Sequence, residues 1–162
     1  PGTYKAYFAA GLADFTREFH LWVDEGMQAA LEKQGDFESS KIREKIFRAV
    51  MARFNVMLPY RGAVARLMSR QLLPWNGPEG LAGLGHAADA MWKAAGDRST
   101  DYNYYTKRLL LSGVYAATLR KWLKDESEGQ SETQAFLRRR IENVLKIGQA
   151  LGGLKDRFRR AA

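Results

Sequence analysis

No cysteine occurs anywhere in the 162 residues. Disulfides, thiolate zinc sites and cysteine nucleophiles are therefore excluded, and the composition suits a reducing compartment. Histidine is nearly as scarce, with His20 and His86 alone. A di-iron carboxylate bundle needs Glu-x-x-His pairs on facing helices. Here Arg17 and Gly83 stand three positions before the two histidines. Two distant histidines are also too few for a zinc hydrolase. The chain has no Gly-x-Ser-x-Gly nucleophile elbow. GLAGLG at Gly80–Gly85 has the wrong spacing for a dinucleotide loop, and no strand precedes it. Carboxylate pairs such as Asp24 with Glu25, or Asp97 with Asp101, lie in polar contexts that do not tune an acid and a base. No catalytic residue, metal site or cofactor is expected, and the chain reads as a binder. No apolar run reaches the ~18–20 residues that span a bilayer. No targeting peptide is read, although the start at Pro1-Gly2 suggests that an upstream segment precedes it.

Acidic residues are in deficit, and the resulting net charge of +8 is unevenly placed. Residues 1–40 carry three basic and seven acidic side chains. Residues 41–70 carry eight against one, residues 71–130 seven against seven, and residues 131–162 eight against three. Two basic segments favour an anionic surface as partner: phospholipid, nucleic acid or an acidic protein.

Apolar residues recur at helical spacing throughout, and no strand alternation, repeat or βαβ unit is visible. The expected fold is all-α, a single helical domain. Leu12, Phe15, Phe19, Trp22, Val23, Met27, Ala30 and Leu31 predict a helix over roughly 12–34. Ile42, Ile46, Phe47, Val50, Phe54 and Met57 mark a second, with Lys41, Lys45 and Arg48 on its wet side. Pro59 is expected at the first position of a third helix running to about Leu73. Pro74–Gly77 reads as a turn. Pro78 opens a fourth helix, with Leu81, Leu84, Ala88, Met91 and Trp92 inward. Its glycines can let a ligand or another backbone come close. The fifth helix, about Thr100–Lys124, is apolar nearly all round and is expected at the centre. Ser131 with Gln134 resembles a capping box for the last helix, which uses Leu137, Ile141, Val144 and Leu145.

Residues 91–108 are the densest stretch. Gly96 fits a helix C-cap. Ser99 or Thr100 can cap the next helix, and Asp101 suits its positive end. Tyr102, Tyr104 and Tyr105 crowd one turn, where successive positions turn by roughly 100°, so at least one ring stays near solvent. Rings with a polar tip beside an arginine have the composition of a binding patch, and the plainer reading is that they cover a loop and fill a core edge. The last helix continues through Leu151, Leu154 and Phe158, flanked by Lys155, Arg157, Arg159 and Arg160. A basic amphipathic helix seeks a membrane surface; the alternative is a solvated helix that packs on the fifth, and both hold if Phe136–Lys146 packs and the remainder swings to a membrane.

Met91, Trp92, Ala95, Gly96, Asp97, Ser99, Thr100, Asp101, Asn103, Tyr105, Thr106 and Arg108 spell M-W-x-x-A-G-D-x-S-T-D-x-N-x-Y-T-x-R. This run resembles the lipid-binding accessory protein family of ubiquinone (coenzyme Q) biosynthesis, in a bacterial version. The similarity continues through Leu109–Leu119 and Phe136–Gly148 and covers most of Asp14–Gly148. The resemblance implies the helical fold of the ligand-binding part of TetR-type regulators, with the N-terminal helix-turn-helix reduced to a remnant at 1–11. It further implies a lipid-binding domain at 12–148 and a basic amphipathic tail at 149–162. It turns Trp22, Met27, Met51, Phe54, Met57, Met68, Met91, Trp92 and Tyr115, large adaptable side chains on core-facing stripes, into the expected lining of an isoprenoid pocket. It implies that a di-iron demethoxyubiquinone hydroxylase docks on Asp101, Asn103, Tyr104, Tyr105 and Arg108. The family's first patch aromatic is tryptophan in eukaryotic members, where this chain has Tyr104. The membrane would be met by Leu151, Leu154, Lys155, Arg157, Phe158, Arg159 and Arg160.

The expected protein is thus a non-enzymatic accessory protein and homodimer, peripheral to an inner membrane. That membrane would be reached from the cytoplasm, or from the mitochondrial matrix in a eukaryote. The alternatives are a TetR-like ligand-responsive regulator fragment and a purely structural helical dimer. Specific DNA reading is not expected, because residues 1–40 are net negative and only a short segment precedes the first long helix.

Overall fold

A computed structural model of the chain describes residues 12–71, 77–99, 102–144 and 146. Among these, every regular element is helical. They are α1 (Leu12–Glu32), α2 (Ile42–Met57), a 3-10 turn (Leu58–Tyr60), α3 (Arg61–Gln71), α4 (Gly77–Ala94), α5 (Tyr102–Trp122) and α6 (residues 131–144). The all-α expectation holds. The remnant at 1–11 and the tail at 149–162 lie outside the described residues.

The centre belongs to α2, not to α5 as its composition suggested. Helix α2 packs on α1, α4 and α5 and buries Ile46, Phe47, Ala49, Val50, Met51, Ala52, Phe54 and Met57. Two of its cations are buried as well. Lys45, expected on the wet side, lies over the Phe37 ring and reaches Glu38 at 2.8 Å. Arg53 is only 1% exposed and is paired with Asp24 of α1. A buried guanidinium survives only with its charge answered. Arg48 meets the expectation better, forking onto both oxygens of Asp36 at 2.7 and 2.9 Å. Gly26 lets α1 approach α2 closely, since a Cβ there would sit 2.8 Å from Val56 Cγ2.

Helix α5 turns Leu111, Val114, Tyr115, Leu119 and Trp122 inward. Positions 105, 109, 113 and 120 fall on its opposite face and are exposed. Leu109, within the helix expected to be apolar nearly all round and central, is 72% exposed. Leu81, expected inward on α4, is also exposed, as are Phe15 and Trp22 on α1. Each apolar stripe is wider than the core it meets, so its edge residues face water. Pro59 sits within the 3-10 turn, and α3 begins two residues later at Arg61.

The expected Ser131 capping box is replaced by a cap from further back. Asp125, 2% exposed, accepts from Ser127 N and Oγ at 2.9 and 2.5 Å. It also accepts from Thr133 N and Oγ1 at 2.8 and 2.5 Å. Ser127 Oγ takes the Glu132 N–H at 3.1 Å, while Gln134 donates to the Gly129 carbonyl at 2.9 Å. Burial pushes the Asp125 carboxyl up, but these hydrogen bonds outweigh it and hold the group well below its ordinary range. Asp125→Ala leaves two buried donors of Thr133 unanswered and is expected to cost about 3 kcal/mol in urea unfolding. Because the folded pKa is depressed, the contribution is full above the unfolded carboxyl's pKa near ~4 and drains as pH falls below it. The gap between wild type and Asp125→Ala therefore narrows in acid.

Candidate functional site

Helix α4 ends in a Schellman turn, as the glycine predicted. Gly96 has φ +85°, its N–H donates to the Lys93 carbonyl at 2.9 Å, and Asp97 N–H donates to the Trp92 carbonyl at 3.0 Å. The turn delivers Asp97 to the start of α5, where it accepts from Ser99 Oγ at 2.7 Å, Lys107 Nζ at 2.7 Å and Arg108 at 3.1 Å. Burial raises the Asp97 carboxyl, but those hydrogen bonds prevail and lower it to about 2. Arg108 also donates to Asp89 at 2.6 Å and lies 3.4 Å over the Tyr104 ring. The Tyr104 hydroxyl donates to the same Asp89 oxygen at 3.1 Å. Trp92 Nε1 donates to the Lys107 carbonyl at 3.1 Å. Much of the densest stretch therefore joins α4 to α5.

This changes the composition of the exposed patch. Arg108 is buried and held by two carboxylates, so it supports the surface instead of forming it. Tyr104 is half-buried. Tyr105 is 71% exposed, with its ring edge-on to Tyr104 at 5.1 Å. One turn on, Leu109 extends the same face, a residue that sequence reasoning missed although the spacing of four was there to read. Asp101, and the side chain of Asn103, lie outside the described residues, as does the Thr100 cap. So do Leu151, Leu154, Lys155, Arg157, Phe158, Arg159 and Arg160.

Behind this joint opens a groove of about 550 Å³. Its apolar walls are Ile42 and Ile46 of α2, Trp92 of α4, Leu110, Leu111 and Val114 of α5, and Ile141 and Val144 of α6. Arg43, Asp97, Arg98 and Lys107 add polar groups to the lining. Of the nine side chains expected to line a lipid pocket, Trp92 alone is here. Met27, Phe54 and Met91 are fully buried in the packed core. Met57, Met68 and Tyr115 border a crevice of only about 30 Å³. Met51 borders a separate polar hollow with Arg48, Asn55 and Gln134. Trp22 is 41% exposed, edge-on to Tyr60 at 5.5 Å. The pattern marked these residues as inward-facing, and most of that interior is solid. The groove forms instead between α2, α4, α5 and α6, and branched aliphatics line it.

The small crevice also holds His20 and Arg53. Burial, then the positive charge of Arg53 and the neighbouring His86, lower His20 to about 4, against a weaker pull from Asp24. His20 is thus neutral at pH 7. A Cβ at Gly83 would lie 2.8 Å from its Nε2, so the glycine makes room for this ring. His86 contacts Asp24 at 2.8 Å. Among the described residues no three His, Cys, Asp or Glu side chains are placed to hold a metal ion, and no helix is long and apolar enough to cross a membrane.

Comparison with known proteins agrees with the family resemblance. The COQ9 family model matches residues 77–148, which contribute most of the groove's walls. The mitochondrial ubiquinone biosynthesis protein COQ9 of Rattus norvegicus is 35% identical over 126 residues, covering 78% of this chain and 40% of that protein. The Homo sapiens protein of the same description is 33% identical over the same share of each chain. The Drosophila melanogaster protein is 23% identical over 99% of this chain and 51% of its own length. The chain thus spans two-fifths to one-half of the length of these relatives.

Proposed function

The chain belongs to the COQ9 family, and on that footing we propose that it serves ubiquinone biosynthesis as a non-catalytic lipid-binding protein. It takes the isoprenoid tail of a quinone precursor from a membrane and presents the ring to a di-iron demethoxyubiquinone hydroxylase. The named relatives are mitochondrial, and the place proposed for this chain is the surface of an inner membrane, met from the cytoplasm or, in a eukaryote, from the mitochondrial matrix. The observation that carries the reading is the groove. Its volume lies within the ~300–1,000 Å³ of ligand pockets, its walls are aliphatic, and the family-matched segment supplies most of them. Transfer from membrane to groove exchanges one apolar environment for another, so the gross ~25 cal/mol per Å² of burial from water nearly cancels. Loading is therefore reversible, as a carrier requires.

The docking face for the hydroxylase is assigned to Tyr105 and Leu109, with Tyr104 held behind them by Asp89 and Arg108. An exposed aromatic beside an exposed leucine on a rigid helix has the character of a binding hot spot. Tyr105→Ala with Leu109→Ala is expected to weaken hydroxylase binding by about tenfold or more while leaving the thermal transition unchanged. Titration of labelled hydroxylase against wild type and variant measures this. Unaltered affinity in a folded variant would remove the partner from this face.

A further inference from the structure

Helix α1 is the acidic element of a basic chain. Over Leu12–Glu32 it carries five carboxylates against Arg17 alone, while the whole chain has a net charge of +8. One of the five, Asp24, is turned to Arg53 of α2 and His86 of α4. Glu18, Glu25 and Glu32 recur every seven residues, which sets them on one line along the helix, and all three are exposed. Glu18 contacts Arg17 at 3.3 Å, whereas Glu25 and Glu32 form no ion pair with a described residue. Leu21 and Trp22 stand on either side of that line, roughly 100° apart, and are 43% and 41% exposed. The Trp22 side continues onto the 3-10 turn. There Tyr60 meets the indole edge-on, and Leu58 and Tyr60 are also exposed. The surface is firmly backed, because Gly26 seats α1 close against Val56 and Asp24 ties it to α2 and α4.

We propose that the outer face of α1, with the 3-10 turn, docks an amphipathic helix of another protein whose apolar stripe is bordered by lysine or arginine. An exposed apolar patch rimmed by polar groups marks a protein contact. A line of charge beside it selects the partner, as flanking charges do in coiled coils. The partner's apolar stripe covers Leu21, Trp22 and Leu58, and its cations meet Glu25 and Glu32. The same glutamates disfavour other occupants. An anionic membrane surface repels them. A second copy meeting this face about a two-fold axis sets one glutamate line against the other. The chain's own basic segment at 149–162 is the one expected on a membrane, so the occupant is assigned to a second protein.

The test titrates the full chain with three peptides by calorimetry. Two are synthetic amphipathic helices of about three heptads with the same leucine stripe, one bordered by lysines and the other by glutamates. The third is the segment 149–162 itself. The lysine-bordered peptide is expected to bind about tenfold tighter than the glutamate-bordered one, with a preference that shrinks as salt rises. The chain's net positive charge alone predicts the opposite order, so the sign of the preference isolates the α1 face. Glu25→Lys with Glu32→Lys, both at exposed positions, should reverse the order. Trp22→Ala should weaken the lysine-bordered peptide by about tenfold. A thermal melt checks that each variant is folded, and the charge variant carries the test if Trp22→Ala is not. No binding of the lysine-bordered peptide, a preference for the glutamate-bordered one, or an order that survives the charge variant overturns the assignment. Segment 149–162 binding as tightly as the lysine-bordered peptide also overturns it, because the face then belongs to this chain's own end.

Discussion

Phe54→Ala is expected to lower the free energy of unfolding by about 4 kcal/mol, within the ~3–5 kcal/mol that truncating a buried aromatic costs. Phe54 is fully buried and lies between two rings, Tyr115 at 5.6 Å and Trp122 at 5.2 Å, each 11° from parallel. Trp122 in turn donates to Gln130 at 2.7 Å and carries Arg61 over its face at 4.9 Å. Gln130 reaches back to Asn55 at 2.8 Å. Removing the central ring therefore unpacks α2 from α5 and loosens the turn that starts α6. Urea titration followed by circular dichroism measures the loss. A loss under about 1 kcal/mol would mean that the site collapses or fills, and that this stack does not hold the bundle together.

The second large effect concerns the groove. Leu110 and Val144 are half-buried and line it from α5 and α6. Leu110→Trp with Val144→Trp places two large rings in the space a hydrocarbon chain would occupy. Displacing even three methylenes at about 0.8 kcal/mol each predicts farnesol affinity lower by more than about tenfold. Stability should hold or rise, since the rings cover apolar walls left open in the wild type. Fluorescence-detected titration and a thermal melt on the same sample separate the two. If farnesol binds the filled variant as tightly as wild type, the ligand lies elsewhere.

Local signals in the sequence were reliable where one residue settles the outcome. Gly96 stops α4 because its left-handed φ is cheap for glycine alone. The span Ile42–Met57 follows from its periodicity. Longer-range outcomes were not legible. The burial of Arg53 depends on Asp24, twenty-nine positions earlier, and no local pattern announces that pair. Arg108 looked like a surface arginine beside tyrosines until Asp89 and Asp97 closed on it from α4 and its turn. Tyr105 and Leu109 share a face because of their spacing of four, but the leucine-rich middle of α5 pointed to complete burial.

The lipid site shows the same limit more sharply. Periodicity identifies which side chains face inward, and Met27, Phe54 and Met91 do. It cannot tell whether the inward space is solid or hollow, because that depends on how the helices pack on one another. The groove lies between the start of α2, the end of α4, the first half of α5 and the last described turn of α6. Its aliphatic walls are ordinary core residues in composition, so nothing in residue type singled them out.

Recovery of lipid from the protein itself tests the groove most directly. The full chain is purified from a quinone-producing host without added lipid, extracted with organic solvent and analysed by mass spectrometry, with the Leu110→Trp, Val144→Trp variant alongside. Isoprenoid quinones or other long-chain lipids should appear in the wild-type extract in amounts approaching one per chain and be depleted from the variant. Wild-type protein that repeatedly yields none, or a variant that retains as much, would contradict a lipid-holding groove.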